Sequence, residues 1–499
     1  MAAFLVIIAA VLPLLLFILS KFRNPGSKLP PGPPGLPVIG NLHQLDTSNL
    51  ADHLWQLSKC YGPLMSLRLG SVQTLVVSSA GMAKEVLKTN DAIFCSRPVF
   101  TGQQKITYGY KGLILTPYDD YWREMRKICT LHLFTSRRVL SFRADREEEV
   151  LLMINRIKSQ VIASSSEVVV NLNETVMTLT SMIICRMAFG KRHGPEMSRF
   201  HGLLLECQAV LVHLYYRDYF PLMGWLDHLD GSMARLEKNF NDMDAFYQEL
   251  VDDHLNSERP NKLQYDIIDI LLQLKNDNSF SLELTFDHIK AIVMDIFLAG
   301  TETSASGVVW AMTLLIKNPK ALKRVQEEVR NAVGNKGKID EEDLQKLDYL
   351  KAVIKESLRL YPAAPLLVPR ETIDTCVLNG YEIPKKTLVY VNSWAIGRDS
   401  ECWENPEVFE PKRFLGSSYD YKGMDFEFLP FGSGRRGCPG MPIGAITMEL
   451  ILSNLLYAFD WKLPDGMKED DVDTITTPGL VLHKKNALCL VAVDNDCKN

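Results

Sequence analysis

The residues Phe431-Gly432-Ser433-Gly434-Arg435-Arg436-Gly437-Cys438-Pro439-Gly440 concentrate the chemistry of this chain. Cys438 lies in a run of glycines beside two arginines. Glycine lets a backbone come close to a flat macrocycle and adopt conformations closed to other residues. Arginine offers a planar fork of donors that matches a carboxylate. Pro439 and Pro442 lead into a helix-like run from Ala445 to Leu456. Proline is tolerated in a first helical turn, so Cys438 is expected at a helix N-terminus. There the dipole and free N–H groups would stabilise a sulfur anion. A thiolate on a haem iron pushes electron density onto the metal and favours O–O cleavage. The decapeptide therefore suggests oxygen activation.

Three further groups carry chemically useful side chains. Ala299-Gly300-Thr301-Glu302-Thr303-Ser304 is a poor helix interior inside an otherwise apolar helical pattern. Its threonines can bond back to carbonyls and bend the helix, and Gly300 would open space beside it. Taken alone, it reads as a polar kink between packed helices. Glu356 and Arg359 are three apart and share a helix face, as a routine surface ion pair would. Trp122 and Arg126, one turn apart, read by themselves as a half-buried aromatic beside a solvated arginine.

The spacing of Phe431, Gly434, Arg436, Cys438 and Gly440 resembles the haem-ligand signature of the cytochrome P450 family, the haem-thiolate monooxygenases. The resemblance spans nearly the whole chain. It implies a mainly α fold, a single large domain with a small β region, preceded by an N-terminal transmembrane helix. It implies haem b (iron protoporphyrin IX), with Cys438 on the iron and Phe431 and Gly440 in the ligand loop. Trp122, Arg126, Arg370 and Arg436 would face the propionates, because a buried dianion needs compensation. Glu302 and Thr303 would be the family's acid–alcohol pair, delivering protons to bound dioxygen. Glu356, Arg359 and Arg413 would form a buried structural cluster behind the ligand loop. Lys412 stands where an acid is common in the family, which leaves Arg413 in place.

By the same resemblance, substrate would touch Leu298, Ala299, Leu366, Leu367, Val368 and Leu480, an apolar set with few fixed polar anchors. A small lipophilic substrate is expected: an aldoxime, terpenoid, phenolic or alkaloid. Electrons would come from NADPH through a partner NADPH-cytochrome reductase, since the chain has no glycine-rich phosphate cradle of its own. Arg123, Lys127, Arg137, Arg138, Arg143 and Arg435 form a basic set that reads equally as a solvated face or as the reductase's docking surface. The Pro-Pro-Gly-Pro hinge and Ala299–Thr303 are similar to the plant microsomal branch of specialised metabolism, nearest its aldoxime-metabolising subfamily and relatives. A lyase, isomerase or dehydratase working without reductase is the first alternative. A non-catalytic haem-binding membrane protein is the second.

These residues need elements to hold them. The longest helical pattern runs from about Thr285 to Lys317 and is apolar nearly all round, which suits a buried central helix. Shorter helical patterns cover about 139–162, 172–188, 234–255, 267–274 and 321–333. Ser79 would cap another helix through about Lys88. Alternating residues at 64–69 and 73–77 read as strands about a tight turn, and short strands return around 366–394.

The whole chain has 499 residues and a net charge of −5, which argues against nucleic acid as a partner. Its ten cysteines show no CxxC spacing and its ten histidines no HExxH, so zinc and dithiol chemistry are not indicated. Ala2 to Leu19 is apolar throughout, with Pro13 inside it, and is near the short end of what spans a bilayer. Lys21, Arg23 and Lys28 follow it, so the C-terminal side should be cytosolic. The expected organisation is a membrane anchor at 1–20, a basic, proline-rich hinge at 21–41 and a monooxygenase domain at 42–499. The expected location is the endoplasmic reticulum membrane, single-pass.

Overall fold

The helix Phe286–Ile316 is the axis around which the rest is packed. At 1.5 Å per residue, its 31 residues extend about 46 Å. It lies chiefly against Leu172–Phe189, and also against Met441–Ala458 and Asp348–Leu360. Two glycines set how closely these helices meet. A Cβ on Gly300 would come 2.6 Å from Ile184 Cδ1, and one on Gly307 would strike Met448 Sδ. Gly300 thus gives room to the Ile184 side chain beside it.

The computed structural model describes residues 28–164, 167–190, 196–256, 265–277, 282–334 and 336–495. The expected anchor at 1–20 and the first residues of the hinge lie outside them. Among the described residues, Phe286–Ile316 and Met441–Ala458 are long and apolar enough to cross a membrane, but both are largely buried inside the protein.

The main sheet has four strands in the order Leu64–Leu69, Val72–Val77, Leu388–Val391, Arg370–Glu371. The first pair is antiparallel about the Gly70-Ser71 turn, the second parallel and the third antiparallel, with Arg370 opposite Val389. A hairpin of Cys376–Leu378 and Tyr381–Ile383 turns at Asn379-Gly380, both with positive φ, as a tight primed turn requires. A second sheet joins Val169–Asn171 to the chain's end, Cys489–Asp494, and to Phe459–Lys462.

Three expectations are modified. The helix read over 139–162 is two, Ser136–Ser141 and Arg143–Ala163, separated at Phe142. The Ser79-capped helix is α-helical only to Lys84 and widens into a π-turn over Glu85–Thr89. Residues 28–41, expected in the hinge ahead of the domain at 42–499, dock on the folded part. Ser66 N donates to Pro31 O (2.9 Å), Asn41 N to Arg68 O (2.6 Å) and Glu382 N to Lys28 O (3.0 Å). Gly32 lies so close to the Ser66 carbonyl that any Cβ would collide with it.

Candidate active site

The cysteine loop is held from three sides. Within it, Cys438 N donates to Phe431 O (2.9 Å) and Gly437 N to Gly434 O (3.0 Å). From Asp91, one carboxylate oxygen accepts Arg435 N (2.9 Å) and the other pairs with Arg370 (3.0 Å). Arg370 also donates to Ser433 O (2.9 Å), and Arg126 reaches over from Asp120–His132 to Gly437 O (2.8 Å). Gly434 has φ +70° and sits against the Leu87 carbonyl, so a side chain there would be strained and also collide. The helix Met441–Ala458 starts immediately after, with Gly440 as N-cap and Pro442 in its first turn.

The Cys438 sulfur lies deep in the protein, and its accessible surface opens into an internal cavity of about 260 Å³. Burial pushes its thiol upward; the N–H of Gly440, the Arg126 cation and the N–H of Met441 pull the other way and do not overcome it. The helix terminus expected to stabilise the anion thus contributes, and a bound metal cation, which deprotonates a coordinating thiol outright, would supply the rest.

Five arginine and tryptophan side chains line the same cavity: Arg97, Trp122, Arg126, Arg370 and Arg436. Trp122 donates its indole N–H to Leu113 O (3.0 Å), and the Arg436 guanidinium stacks on its ring at 4.0 Å. Arg436 donates to the carbonyls of Cys95 (2.7 Å) and Thr116 (2.6 Å). Arg97 donates to Ile114 O (3.0 Å), Val368 O (2.5 Å) and Pro369 O (2.7 Å). Of the four arginines, only Arg370 has a carboxylate partner among the described residues. The hydrogen bonds of Arg97, Arg126 and Arg436 among those residues go to backbone carbonyls. Burial lowers all three, Arg97 well below its usual value and Arg436 to about 9.

The central helix presents Ile292, Asp295, Ile296, Ala299, Gly300, Thr303 and Ser304 to the cavity, a helical stripe of alternating three- and one-residue steps. Thr303 Oγ1 donates to Ala299 O at 2.5 Å. Glu302 falls off this stripe and is buried; its carboxylate meets His483 Nε2 at 3.0 Å. Leu367, with φ +52°, and Val368 complete the apolar wall. Phe431 and Gly440 line the cavity beside Cys438.

Three residues expected in the pocket are placed elsewhere. Leu298 is on the flank of the helix and packs into the main core. Leu366 precedes the Leu367 turn and packs with Leu54, Trp394 and their neighbours. Leu480 is exposed at the surface.

Behind the cysteine loop, Glu356 and Arg359 are wholly buried and joined by two parallel bonds, of 2.7 and 2.8 Å. Arg413 adds a third bond to Glu356 at 3.0 Å, and Glu410 N a fourth at 2.8 Å. Of the six-residue basic set, four already have acidic partners: Arg123 with Asp120, Lys127 with Glu124, Arg143 with Glu147, and Arg435 with Asp91.

The sequence reading missed three residues. Asp295 was open to inference: a lone acid in an apolar buried helix must find donors. It accepts Leu113 N (2.5 Å) and Ile114 N (3.1 Å), and burial raises it to about 6 despite them. Arg97 lies in the segment Phe94-Cys95-Ser96-Arg97-Pro98, whose residue types alone give it no role. His483, 181 residues from Glu302, gave no signal at all.

Comparison with known proteins places this arrangement. The family described as cytochrome P450 matches residues 30–491. The chain belongs to the cytochrome P450 family. It is 48% identical over 496 residues to 6,7,8-trihydroxycoumarin synthase of Pastinaca sativa, covering 97% of each chain. It is 49% identical over 479 residues to 5-OH-xanthotoxin synthase of Ammi majus, covering 94% of this chain and 93% of the other. Strychnine-11-hydroxylase of Strychnos nux-vomica is 45% identical over 474 residues, with 94% and 92% covered. Among solved structures, a zebrafish cytochrome P450 determined with abiraterone aligns at TM-score 0.75 and 27% identity, over 90% of this chain and 99% of that one. The chain is thus an oxidoreductase of the monooxygenase type, akin to plant enzymes of specialised metabolism, and its fold implies haem.

The residues present fit that group. A cysteine sulfur opens into the cavity, and three guanidinium groups with no acidic partner among the described residues line it, which suits a metal bearing an anionic macrocycle. Cys438 would hold the iron; Arg97, Arg126 and Arg436 would hold the carboxylates.

Proposed function

We propose that this monooxygenase inserts one atom of dioxygen into a small lipophilic aromatic or polycyclic metabolite, with electrons drawn from NADPH through a partner NADPH-cytochrome reductase. The observation that carries the reading is that the Cys438 sulfur and the Thr303 hydroxyl open into one cavity whose remaining wall is mostly apolar. Haem, when bound, supplies the reductive activation of dioxygen and the transfer of one of its atoms. Cys438 would give it an anionic ligand, and Arg97, Arg126 and Arg436 would hold its carboxylates. Ile296, Ala299, Leu367 and Val368 strip water from the substrate and hold it by shape. Thr303 passes a proton on, which requires its hydroxyl to leave the Ala299 carbonyl, and Glu302 restores that proton.

From the wider set of expected substrates we favour phenolic and alkaloid types, because the relatives are named for trihydroxycoumarin, xanthotoxin and strychnine. An aldoxime has no such support among them. We assign the chain to the endoplasmic reticulum membrane, anchored through residues 1–20, with the hinge 21–41 between anchor and cytosolic domain. Supporting this, the hinge residues Leu36, Val38 and Ile39 are exposed beside the Gly70-Ser71 turn. That turn bonds to Tyr219 O, and the segment just beyond exposes Leu222, Trp225 and Leu229. Together they make an apolar face where the chain would enter the bilayer. For reductase docking, Arg137 and Arg138 are the members of the basic set with no acidic partner among the described residues.

The test is a screen of coumarins, alkaloids and aldoximes in microsomes containing the reductase, scored by the mass gain of one oxygen atom. Product formed without consumption of NADPH and dioxygen would instead indicate a lyase, isomerase or dehydratase. Thr303→Ala should cut product formation about 10²-fold while NADPH oxidation continues and peroxide appears. Unchanged coupling of NADPH to product in that variant would remove Thr303 from the proton path.

A further inference from the structure

Glu302 is buried, and its carboxylate is turned away from the cavity toward the chain's C-terminal region. There the loop that ends at His483 is tied to the central helix by three side chains. Ser306 Oγ and Trp310 Nε1 both donate to Leu482 O, at 2.6 and 2.8 Å, and His483 Nε2 meets Glu302 at 3.0 Å. A fourth bond, Leu482 N to Ala363 O (2.9 Å), fixes the loop to the segment leading into the cavity wall. His483 is thus held by backbone anchors that do not depend on its ring. The ring's hydrogen bond to the protein among the described residues is the one to Glu302, and the side chain is 27% exposed. Glu302, at 6%, has almost no access to water of its own.

An acid that must hand on two protons in each cycle needs a supply, and a buried carboxylate cannot draw it directly from solvent. Imidazole has a donor and an acceptor nitrogen on opposite sides of a single ring, so it can take a proton on one side and release one on the other. We propose that His483 is the proton-entry residue of this enzyme, a positioning residue that acts through Glu302. Its ring takes a proton from bulk water at Nδ1 and gives the Nε2 proton to a Glu302 carboxylate oxygen. The carboxylic acid then turns to the cavity side, surrenders the proton toward Thr303, and returns as the anion. One proton enters and one leaves; the imidazole is regenerated as the other tautomer and resets by rotation or exchange with water. The inference rests on the reading of Glu302 and Thr303 as the acid–alcohol pair.

The experiment uses the full-length holoprotein with its reductase and any substrate that the screen supplies. His483→Ala and His483→Gln should both keep haem content and substrate affinity within about twofold. Both should lower coupled turnover roughly tenfold or more and raise the solvent isotope effect. Glutamine can hydrogen-bond to Glu302 but cannot relay a proton, so full coupling in His483→Gln would overturn the proposal. A second readout does not depend on turnover. In histidine-labelled, carbon monoxide-bound holoprotein, Glu302→Gln should shift the ring-nitrogen signals that His483→Gln removes; unshifted signals contradict the contact. If Glu302→Gln itself couples normally, the underlying acid–alcohol reading fails. If Glu302→Gln is impaired while both His483 variants behave as wild type, only the His483 inference fails.

Discussion

Arg359 and Arg436 both sit inside the protein and both bond to several backbone carbonyls, yet among the described residues only Arg359 has a carboxylate. Arg359 shares two bonds with Glu356, and its remaining donors reach the carbonyls of Gly397, Pro406 and Val408. Arg436 stacks on Trp122 and finds only the carbonyls of Cys95, Leu113 and Thr116. The first cluster is complete within the chain and locks Asp348–Leu360 to the segment carrying Arg413. The second leaves positive charge facing a cavity. Buried charge without a counter-charge is costly, so the second cluster makes sense only as half of an interaction.

The most damaging change should fall on the complete cluster. Glu356→Ala strands Arg359 in the core with no counter-charge, and a loss of about 3–5 kcal/mol is expected. Denaturant unfolding would register this in haem-free and haem-loaded protein alike. Arg436→Ala should act the other way round. Without haem it removes an uncompensated cation and should be neutral or stabilising. With haem it removes a charged hydrogen bond of about 1.5–3 kcal/mol, a roughly 10- to 100-fold faster loss of haem to an acceptor apoprotein. If Arg436→Ala destabilises the haem-free chain as much as Glu356→Ala does, the two clusters do not differ in kind.

The smallest effect concerns Asp295, which holds Leu113 and Ile114 by their N–H groups and so aims the carbonyls that Arg97, Trp122 and Arg436 use. Burial raises its carboxyl from 3.8 to about 6. A group raised on folding favours the folded state fully below its unfolded value and loses that contribution as pH climbs through its folded value. Stability should therefore fall between about pH 4 and 6, by up to about 1.4 kcal/mol per pH unit. Asp295→Asn keeps an acceptor and should flatten that slope in unfolding curves; an unaltered slope would place the ionisation elsewhere.

Much of this was readable from residue types. The cysteine decapeptide, the central helix and the first hairpin are local patterns, written in consecutive residues. The sheet joining Val169–Asn171 to Cys489–Asp494 was not, since its partners are more than 300 positions apart and each strand is short. The pocket was half legible. Ala299, Leu367 and Val368 line it, whereas apolar character alone could not tell that Leu298 turns into the core or that Leu366 packs away before the chain reverses at Leu367. Pairing of Asp91 with Arg370 and Arg435, and of Glu302 with His483, depends on contacts between distant segments and leaves no mark on either.

The central claim is that Cys438 binds haem iron as a thiolate within this cavity. The reduced, carbon monoxide-bound spectrum of the full chain, compared with that of Cys438→Ser, tests it most directly. The wild type should give the thiolate-type band and the serine variant should lose both that band and turnover. A histidine-type spectrum from the wild type, or a thiolate-type band surviving in Cys438→Ser, would contradict the account.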